Sequence, residues 1–300
     1  MTSFKIRVPA SSANIGPGFD SMGMALNLYL TLDVSPADEW TIEQHSPHLP
    51  ELASVDDHYI VQVARDVATR WGKALPACHI TVRSDIPLAR GLGSSAAAIV
   101  SGIELANQVC GLSLTREQKL ELGTAIEGHP DNIAPALMGG FIIAIGTDRT
   151  IDWVQLPSPE VDVVVSIPGD ALETKTARNV LPGAYPMERA ASASAVSNVL
   201  VASLASGDYE LAGRMMERDL FHEPYRKDLI PHYDDIRTEA KKHGAYGSVI
   251  SGAGPTMMSL TPKGTGGVVV SHVEALLPDY QVTLLQMDKS GVVTDENANG

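Results

Sequence analysis

A glycine–serine loop between a predicted strand and a predicted helix constrains this chain more than any other stretch. The strand HITVRSDIP ends at Pro87, and an apolar stripe with helical spacing begins after Ser95. Gly91 and Gly93 would let backbone N–H groups approach an anion, and the positive end of the helix would point at that anion. A tight glycine turn with a serine N-cap fits the same residues, so the loop alone predicts either a phosphate site or a plain turn.

Two common nucleotide-binding motifs do not match this loop. A Walker A loop has a lysine directly after its last glycine, whereas Ser94 follows Gly93 here. The pattern Gly91-x-Gly93-x-x-Ala96 has the spacing of a dinucleotide fingerprint, but no acidic residue follows a second strand about 20 residues later. Glu104 comes too early and lies in the helix. Any phosphate site here is therefore free of lysine, with two serine hydroxyls available to phosphate or Mg²⁺.

The composition excludes several classes of protein. The 300 residues include 36 Asp and Glu against 22 Lys and Arg, which gives a formal net charge of −14 without a basic cluster. Such a chain repels nucleic acid and anionic membranes. The most apolar window, residues 136–146, is shorter than the roughly 20 residues that span a bilayer, and the N-terminus lacks the apolar core of a signal peptide. We therefore predict a cytoplasmic protein, with Cys78 and Cys110 buried rather than in a disulfide or zinc site.

Strands and helices follow each other without a regular βαβ order, which predicts an α+β fold rather than a doubly wound sheet. A boundary near residue 160 divides the chain into predicted units of residues 1–160 and 161–300. The first strand, FKIRVPA, is predicted to stop at Pro9, and the polar tail from Ser290 to Gly300 is predicted to fray. The apolar periodicity predicts helices over residues 59–71, 95–109, 113–128, 189–206, 209–221, 233–243 and 265–278.

Three further stretches combine glycines with polar residues. In residues 9–23, small residues surround Asn14 and Asp20, which are either turn formers or a grip on a polar ligand. In residues 126–140, four residues that can bind ligands or move protons fall close together: Glu127, His129, Asp131 and Asn132. Zinc would need further Cys or His nearby, whereas Glu127 can hold Mg²⁺ through oxygen. The stretch SGAGPT, residues 251–256, is by itself a turn.

Together these stretches resemble the GHMP kinase superfamily. Three superfamily motifs match in order over most of the chain: Pro9 to Asp20, Pro87 to Ala97 and Ser251 to Thr256. Within the superfamily the finer resemblance is to homoserine kinases, through VPASSANIGPGFDSMGMAL, EGHPDNIAPALMGG and ETKTARNVLP. Mevalonate kinases carry a lysine-containing PGK stretch near the N-terminus, where this chain has VPASSAN.

The resemblance implies two α+β lobes, an N-terminal lobe like domain 2 of ribosomal protein S5 and a ferredoxin-like C-terminal lobe. It implies transfer of the γ-phosphate of ATP to the side-chain hydroxyl of L-homoserine, which gives O-phospho-L-homoserine on the route to threonine. ATP and Mg²⁺ are the implied cofactors, and a homodimer is the implied assembly. The alternatives are a GHMP-type kinase for another small alcohol, such as shikimate or mevalonate, and a nucleotide-binding regulatory module that need not keep Glu127 or His129.

The resemblance also implies roles for individual residues. The homoserine site comprises Asn14, Asp20, His129, Asn132, Thr174, Arg178 and Arg226. The ATP site comprises Pro87, Leu88, Ala89, Arg90, Gly91, Leu92, Gly93, Ser94, Ser95, Ala96, Ala97 and His58. His58 falls where relatives often carry an asparagine that contacts adenine. The Mg²⁺ ligands are Ser95 and Glu127. In this assignment Asp20 takes the substrate ammonium, while Arg178 and Arg226 take the carboxylate or the transferred phosphate.

Catalysis is predicted at four residues: His129, Asp131, Asn132 and Arg178. Asp131 matches an aspartate that mevalonate kinases pair with a lysine, but this sequence offers no obvious lysine partner. Phosphoryl transfer through a loose transition state needs mainly alignment and neutralisation of charge. We therefore expect positioning to dominate catalysis, with Asn132 and His129 holding the substrate hydroxyl.

Overall fold

Eleven strands and ten α-helices lie within residues 2–49, 54–147 and 150–296, which the computed structural model describes. The strands are β1 (Phe4–Ala13), β2 (Met22–Pro36), β3 (Thr41–Gln44), β4 (Cys78–Ser84), β5 (Phe141–Thr147), β6 (Thr150–Leu156), β7 (Val161–Ile167), β8 (Gly247–Ile250), β9 (Met257–Pro262), β10 (Gln281–Leu285) and β11 (Val293–Glu296). The helices are α1 (Tyr59–Arg70), α2 (Ser94–Cys110), α3 (Arg116–Glu127), α4 (Ile133–Met138), α5 (Thr174–Asn179), α6 (Met187–Ser206), α7 (Tyr209–Met216), α8 (Glu223–Arg226), α9 (Tyr233–Lys242) and α10 (Gly266–Leu276).

The first sheet has the strand order β11-β1-β2-β4-β3, with β5 and β6 attached to β2. β2 is 15 residues long because its two ends pair with different strands, Leu30–Pro36 with β4 and Met22–Met24 with β5. Helix α2 packs on β1 and β2 and is flanked by α1 and α3. The backbone N–H of Ser11 donates to Leu92 O at 3.1 Å, so the loop before α2 lies against the end of β1.

The second sheet is built from a βαββαβ sequence. Its strands follow the order β10-β7-β9-β8 and pair antiparallel. β7 is buried along its whole length because alternate residues face two cores. Val163 and Val165 join the core of the first sheet, whereas Val164 packs with residues of α9 and α10. This is the topology of a ferredoxin-like lobe, and the predicted α+β fold of two lobes is confirmed.

The chain returns to the first sheet at its C-terminal end. β11 pairs with β1, with Thr294 opposite Ile6. Asp288 prepares this return, because its Oδ1 accepts hydrogen bonds from the backbone of Ser290 and Gly291 at 2.9 and 2.8 Å. The prediction of a frayed tail is therefore wrong for residues 290–296, and the remaining four residues lie outside the described ones. The division at residue 160 stays a prediction, and it places β11 in the unit opposite to its sheet partner.

β1 also differs from its sequence prediction. It does not stop at Pro9 but continues to Ala13, with a shift of register between Pro9 and Ala10. A proline is tolerated in a strand at such an irregularity. The extension matters for function, because it carries residues 10–13 to the end of the sheet where the loop before α2 lies.

Smaller differences concern one helix and the cysteines. α7 ends at Met216 rather than at Phe221, because the Asp219 carboxylate accepts the backbone N–H groups of residues 221, 222 and 223 and starts a new turn there. Cys78 is buried as predicted, whereas Cys110 is only partly buried, and both are free thiols. Among the described helices, none combines the length and the apolar character needed to cross a bilayer.

Candidate active site

Gly91 and Gly93 lie where three parts of the chain converge. Both have positive φ angles, of +73° and +69°. A methyl group on Gly91 would overlap the carbonyl oxygen of Ser251, and one on Gly93 would overlap the hydroxyl of Ser11. Ser251 Oγ also donates to Gly91 O at 2.6 Å and lies 2.8 Å from Ser12 Oγ. Contacts with the end of β1 and with the turn after β8 thus require both glycines, a reason that the sequence pattern alone does not supply.

The N-terminus of α2 is open at this point. Its N-cap is Gly93, and the first intrahelical hydrogen bond runs from Ala97 N to Gly93 O at 2.9 Å. The amides of residues 94–96 therefore have no intrahelical partner. Ser94 and Ser95 line a cavity at this end of the helix. The alternative of a turn with a serine N-cap is wrong, and the geometry suits an anion.

The other residues of the predicted ATP loop lie in different surroundings. Three of them have buried side chains in the core: Leu92, Ala96 and Ala97. Arg90 points toward the second lobe, where its Nε donates to Pro168 O at 3.1 Å and its Nη2 donates to Gly169 O. Leu88 and Ala89 line a second cavity, described below. Only part of the loop therefore offers groups to a ligand, and Arg90 ties the loop to the end of β7.

A cavity of about 80 Å³, here called the polar cavity, collects the predicted substrate residues. Its lining includes all seven of them: Asn14, Asp20, His129, Asn132, Thr174, Arg178 and Arg226. It also includes Gly91, Gly93, Ser94, Ser95, Glu127 and Asp131. Sequence reasoning missed Leu172, Gly252 and Ala253 in the wall. The last two belong to the stretch SGAGPT, whose glycines indicated a turn but not its contact with the loop before α2.

The turn between α3 and α4 presents polar groups to the polar cavity. Gly128, with a φ of +96°, ends α3, and His129 Nδ1 is hydrogen-bonded to Asp131 Oδ1. Asn132 Nδ2 donates to the same carboxylate oxygen at 3.2 Å, and Ser11 Oγ donates to Asn132 Oδ1 at 2.8 Å. Asp131 itself is only 3% exposed. One buried carboxylate therefore orients both of the side chains that are predicted to hold the substrate hydroxyl.

Two opposed effects set the ionisation of His129. Burial lowers the pKa of the imidazole, whereas the hydrogen bond to Asp131 and its negative charge raise it. The charge of Asp20 adds to the second effect, and the net pKa is raised. His129 therefore keeps its second proton to a higher pH than a free histidine does. A protonated imidazole in this place favours contact with an anionic group.

Ser95 and Glu127 form a pair of oxygen donors on the wall of the polar cavity. Ser95 Oγ donates to Glu127 Oε2 at 2.9 Å, and Ser95 is exposed. A hydroxyl and a carboxylate beside a phosphate site suit Mg²⁺, which takes few protein ligands and keeps waters and substrate oxygens. The donor set thus fits the predicted ion. Asp20, His129 and Asp131 also bring possible ligand atoms within 4.8 Å of one another, but their polar atoms are already engaged in hydrogen bonds.

An ion pair lies in the wall of the polar cavity, close to His129 and Asp131. Arg178 Nη1 and Nη2 donate to Asp20 Oδ2 and Oδ1 at 3.0 and 2.7 Å. Asn14 holds the turn that carries Asp20, because its Oδ1 accepts from Asp20 N at 3.0 Å and its Nδ2 donates to Gly252 O at 2.8 Å. The two residues that are predicted to bind opposite ends of homoserine are thus bound to each other, and the polar groups of Asn14 serve the backbone.

Arg226 lies in the wall of the polar cavity and is 2% exposed. Its Nε donates to Ala177 O at 3.0 Å and its Nη1 to Gly252 O at 3.1 Å, while the ring of Phe19 faces its guanidinium at 5.3 Å. Burial, followed by the positive charge of Arg178, lowers the pKa of Arg226 to about 10, so the group is still cationic at neutral pH. Arg226 therefore supplies a fixed positive charge and joins α5 to the turn after β8.

A second cavity, of about 380 Å³ and here called the apolar cavity, adjoins the first. The two cavities share Ala89, Ser94 and Ser95. The apolar side chains of its lining are Leu30, Leu49, Ile60, Ile86, Leu88, Ala89 and Ala98. His58 is 6% exposed in this wall, and its Nδ1 has no hydrogen-bond partner among the described residues. Burial lowers the pKa of His58, so the ring is neutral at pH 7 and can donate or accept one further hydrogen bond.

Family models match both halves of the chain. The model for the N-terminal domain of GHMP kinases matches residues 58–140, and the model for their C-terminal domain matches residues 200–279. The first match contains the loop before α2 and the turn between α3 and α4. The second contains α8 with Arg226 and the turn after β8.

Curated proteins are similar over the full length. A homoserine kinase of Oceanobacillus iheyensis is 51% identical over 298 residues, which cover 99% of this chain and 100% of the relative. A homoserine kinase of Halalkalibacterium halodurans is 47% identical, covering 96% of this chain and 94% of the relative. The solved structure of a homoserine kinase from Cytophaga hutchinsonii has a TM-score of 0.83 at 29% identity and covers 98% of each chain. An L. major mevalonate kinase in complex with R-mevalonate has a TM-score of 0.75 at 15% identity, covers 96% of each chain and shares the fold.

Proposed function

This chain belongs to the homoserine kinases of the GHMP kinase superfamily, and we propose that its two cavities hold its two substrates. The protein is a kinase that transfers the γ-phosphate of ATP to the side-chain hydroxyl of L-homoserine, which gives O-phospho-L-homoserine for threonine biosynthesis. The observation that supports this assignment most strongly is that the two cavities meet at the open end of α2, where Ser94 and Ser95 line both of them. Phosphates bound there would have the nucleoside on one side and the acceptor on the other.

We assign the nucleoside of ATP to the apolar cavity. The leucine and isoleucine side chains of its wall suit the faces of an adenine ring. The buried Nδ1 of His58 supports a polar contact with the base, because a buried nitrogen without a partner costs free energy that a ligand hydrogen bond offsets. The phosphate chain would then run over Gly91 and Gly93 to the free amides of residues 94–96.

We assign homoserine to the polar cavity. Its ammonium group would bind Asp20, and its carboxylate would bind Arg178, with the fixed charge of Arg226 behind it. The side-chain hydroxyl would then lie toward His129 and Asn132, on the side of the cavity where Ser95 and Glu127 lie. Thr174, exposed at the start of α5, is placed to contact the same ligand.

We assign Mg²⁺ to Ser95 and Glu127, whose oxygen atoms lie 2.9 Å apart beside the open helix end. When bound, the ion neutralises negative charge on the phosphates. Arg178 and Arg226 contribute further positive charge at the cavity, and the raised pKa of His129 favours its cationic form there.

We propose that the enzyme works by positioning rather than by a dedicated base. Asp131 is the only group of the turn between α3 and α4, within the described structure, that accepts from both His129 and Asn132. Its carboxylate therefore orients these two side chains toward the hydroxyl. In a loose transition state the bond to the acceptor oxygen is barely formed, so the hydroxyl does not have to lose its proton early. Alignment of the substrates and neutralisation of charge therefore supply most of the rate enhancement.

A homodimer and a cytoplasmic location complete the proposal; the homodimer follows from the resemblance and the location from the sequence composition. The exposed face of α6 supports the homodimer, because no charged residue occurs between Ala190 and Ser206 in a chain with a net charge of −14. Ala195 and Val199 are exposed on this face. Two acidic chains repel each other least where neither carries charge. Analytical ultracentrifugation should find a dimer, and Ala195→Glu should convert it to a monomer. If the variant is still a dimer, the dimer interface does not include this face of α6.

One assay tests the activity. The protein is mixed with ATP, Mg²⁺ and, separately, L-homoserine, mevalonate or shikimate, and the release of ADP is measured. We expect turnover with L-homoserine and only background release with the other two alcohols. Turnover with mevalonate or shikimate at the same rate would contradict the assignment of homoserine to the polar cavity. Binding of ATP without turnover on any alcohol would contradict a kinase.

A further inference from the structure

The pairing of Asp20 with Arg178 bears on which acceptors the polar cavity can take. We infer that this ion pair is an internal substitute for the two charged ends of the acceptor, and that only a molecule carrying both an ammonium and a carboxylate group displaces it without loss. The inference rests on the proposed function, because it concerns the acceptor of the same site. It goes further, since it makes the free enzyme's own contact a determinant of specificity.

The ion pair engages both charged groups fully. It is bidentate, with N–H···O distances of 3.0 and 2.7 Å. Homoserine therefore cannot bind Asp20 and Arg178 as two vacant groups. Its ammonium has to replace the guanidinium at Asp20, and its carboxylate has to replace the Asp20 carboxylate at Arg178. One ion pair is exchanged for two, and the charge of the cavity stays balanced.

The backbones on both sides of the pair are held independently of it. The N–H of Asp20 donates to Asn14 Oδ1 at 3.0 Å, so the turn keeps its shape when the side chain changes partner. On the other side, Arg226 Nε donates to Ala177 O at 3.0 Å, directly before Arg178. The exchange therefore needs only side-chain rotation, which is faster and less costly than opening a lobe.

Phe19 keeps the Arg178 guanidinium in place during the exchange. Its ring lies 5.6 Å from that guanidinium and 5.3 Å from the guanidinium of Arg226. A cation over an aromatic face is attracted whichever anion it binds. Arg178 therefore retains one partner when Asp20 leaves, and its charge remains at the cavity for the incoming carboxylate.

Exposure distinguishes the exchangeable arginine from the fixed one. The side chains of Arg178 and Asp20 are 38% and 34% exposed, so water reaches the pair and weakens it. Arg226 is 2% exposed and donates to backbone carbonyl groups that cannot leave. A substrate can therefore compete for Arg178 but cannot release Arg226 from its partners.

The consequence is selection for amino acids among alcohols. A hydroxy acid such as 4-hydroxybutyrate would take Arg178 and leave Asp20 unpaired. An amino alcohol such as 3-amino-1-propanol would take Asp20 and leave Arg178 unpaired. Each of these ligands has to break the ion pair between Asp20 and Arg178 but replaces only one of its two charged groups. Their affinity should therefore fall below that of homoserine by more than the value of the one missing contact.

The test measures binding of 4-hydroxybutyrate to the full chain by calorimetry, with Asp20→Asn as the variant. Since this change weakens the internal pair and frees Arg178, we expect affinity for 4-hydroxybutyrate to rise by about 3- to 10-fold, while affinity for homoserine falls by at least about 10-fold. The matched control is Asp131→Asn, which also removes a negative charge from the cavity but does not free Arg178. General attraction of anions would raise affinity equally in both variants and overturn the inference.

The mirror variant is Arg178→Gln, for which 3-amino-1-propanol should gain affinity by a similar factor. Thermal unfolding and ATP affinity, unchanged from the wild type, establish that each variant is folded. Unchanged or weaker binding of both one-charge ligands in folded variants would overturn the exchange. Failure of the wild type to phosphorylate homoserine would overturn the proposed function itself, so turnover of the wild type separates the two failures.

Discussion

The polar and apolar cavities meet at the same helix end but are held together by different forces. The walls of the polar cavity are joined by single hydrogen bonds between residues far apart in the chain, such as Ser11 with Asn132 at 2.8 Å and Asn14 with Gly252 at 2.8 Å. The apolar cavity has leucine, isoleucine and alanine side chains from β2, α1, α2 and the loops after β3 and β4, and one buried nitrogen without a partner among the described residues.

This difference predicts how each cavity responds to change. A substitution that removes one partner of a hydrogen bond or ion pair removes the whole interaction. If the remaining partner is buried, leaving it unpaired costs further free energy. Dispersion contacts are individually small and are lost in proportion to the atoms removed. Variants in the polar cavity should therefore have large effects on one substrate, whereas variants in the apolar cavity should have graded effects on the other.

The largest effect is expected where the two cavities join. Gly93→Ala should lower the free energy of unfolding by about 2–4 kcal/mol, because a positive φ disfavours alanine and the new methyl group overlaps Ser11 Oγ. Gly111→Ala is the matched control at the other end of α2, where φ is +61° and a methyl group meets open space. It should cost only about 1 kcal/mol. Equal losses in thermal or denaturant unfolding would show that contact with β1 does not hold the loop.

Arg178→Ala should have the next largest effect and should act on homoserine alone. The variant loses a charged contact to the substrate and leaves Asp20 unpaired, so the KM for homoserine should rise about 100-fold. The KM for ATP should stay within about 2-fold, because Arg178 lies outside the lining of the apolar cavity. Steady-state kinetics with each substrate varied in turn measure both values. A similar rise in both would remove the distinction between the cavities.

Asp131→Asn separates positioning from base catalysis. If the carboxylate only orients His129 and Asn132, the isosteric amide should lower kcat by about 10-fold with both substrates still bound. A general base contributes about 10²- to 10⁴-fold, so a loss of that size in a folded variant with intact binding of ATP and homoserine would contradict the positioning account. Calorimetry and single-turnover rates supply the two measurements.

The smallest effect is expected in the apolar cavity. His58→Leu keeps an apolar wall but removes the ring nitrogen, so the KM for ATP should rise about 5- to 10-fold through loss of one hydrogen bond. His58→Asn restores a polar group at this position and should recover most of that loss. The KM for homoserine should not change in either variant. A rise in the KM for homoserine, with the KM for ATP unchanged, would contradict the assignment of His58 to the ATP site.

The polar cavity could be predicted largely from the sequence, because its residues come in short motifs. The density of Glu127, His129, Asp131 and Asn132 within six positions is enough to mark a site. The pairing of Asp20 with Arg178 could not be foreseen, since 158 positions separate them and both were expected to face the substrate. The need for glycine at position 91 could not be foreseen either. The atom that excludes a side chain there is the carbonyl oxygen of Ser251, which is also far away in the sequence.

The apolar cavity could not be predicted from the sequence beyond His58. Leu30 and Ile86 belong to the buried core and have the residue types of its other members, so the sequence does not show that they also border a space beside α1 and α2. The return of β11 was missed for a related reason. Its residues include two acids, and its place in the sheet comes from backbone pairing with β1 rather than from an apolar pattern.

A crystal structure with L-homoserine and a non-hydrolysable ATP analogue would show whether the open end of α2 lies between two substrate cavities. We expect the adenine ring beside His58 and Ile86, the phosphates at the amides of residues 94–96, and the amino-acid end of homoserine between Asp20 and Arg178. Adenine outside the apolar cavity, or homoserine bound while Asp20 and Arg178 remain bonded to each other, would contradict this arrangement.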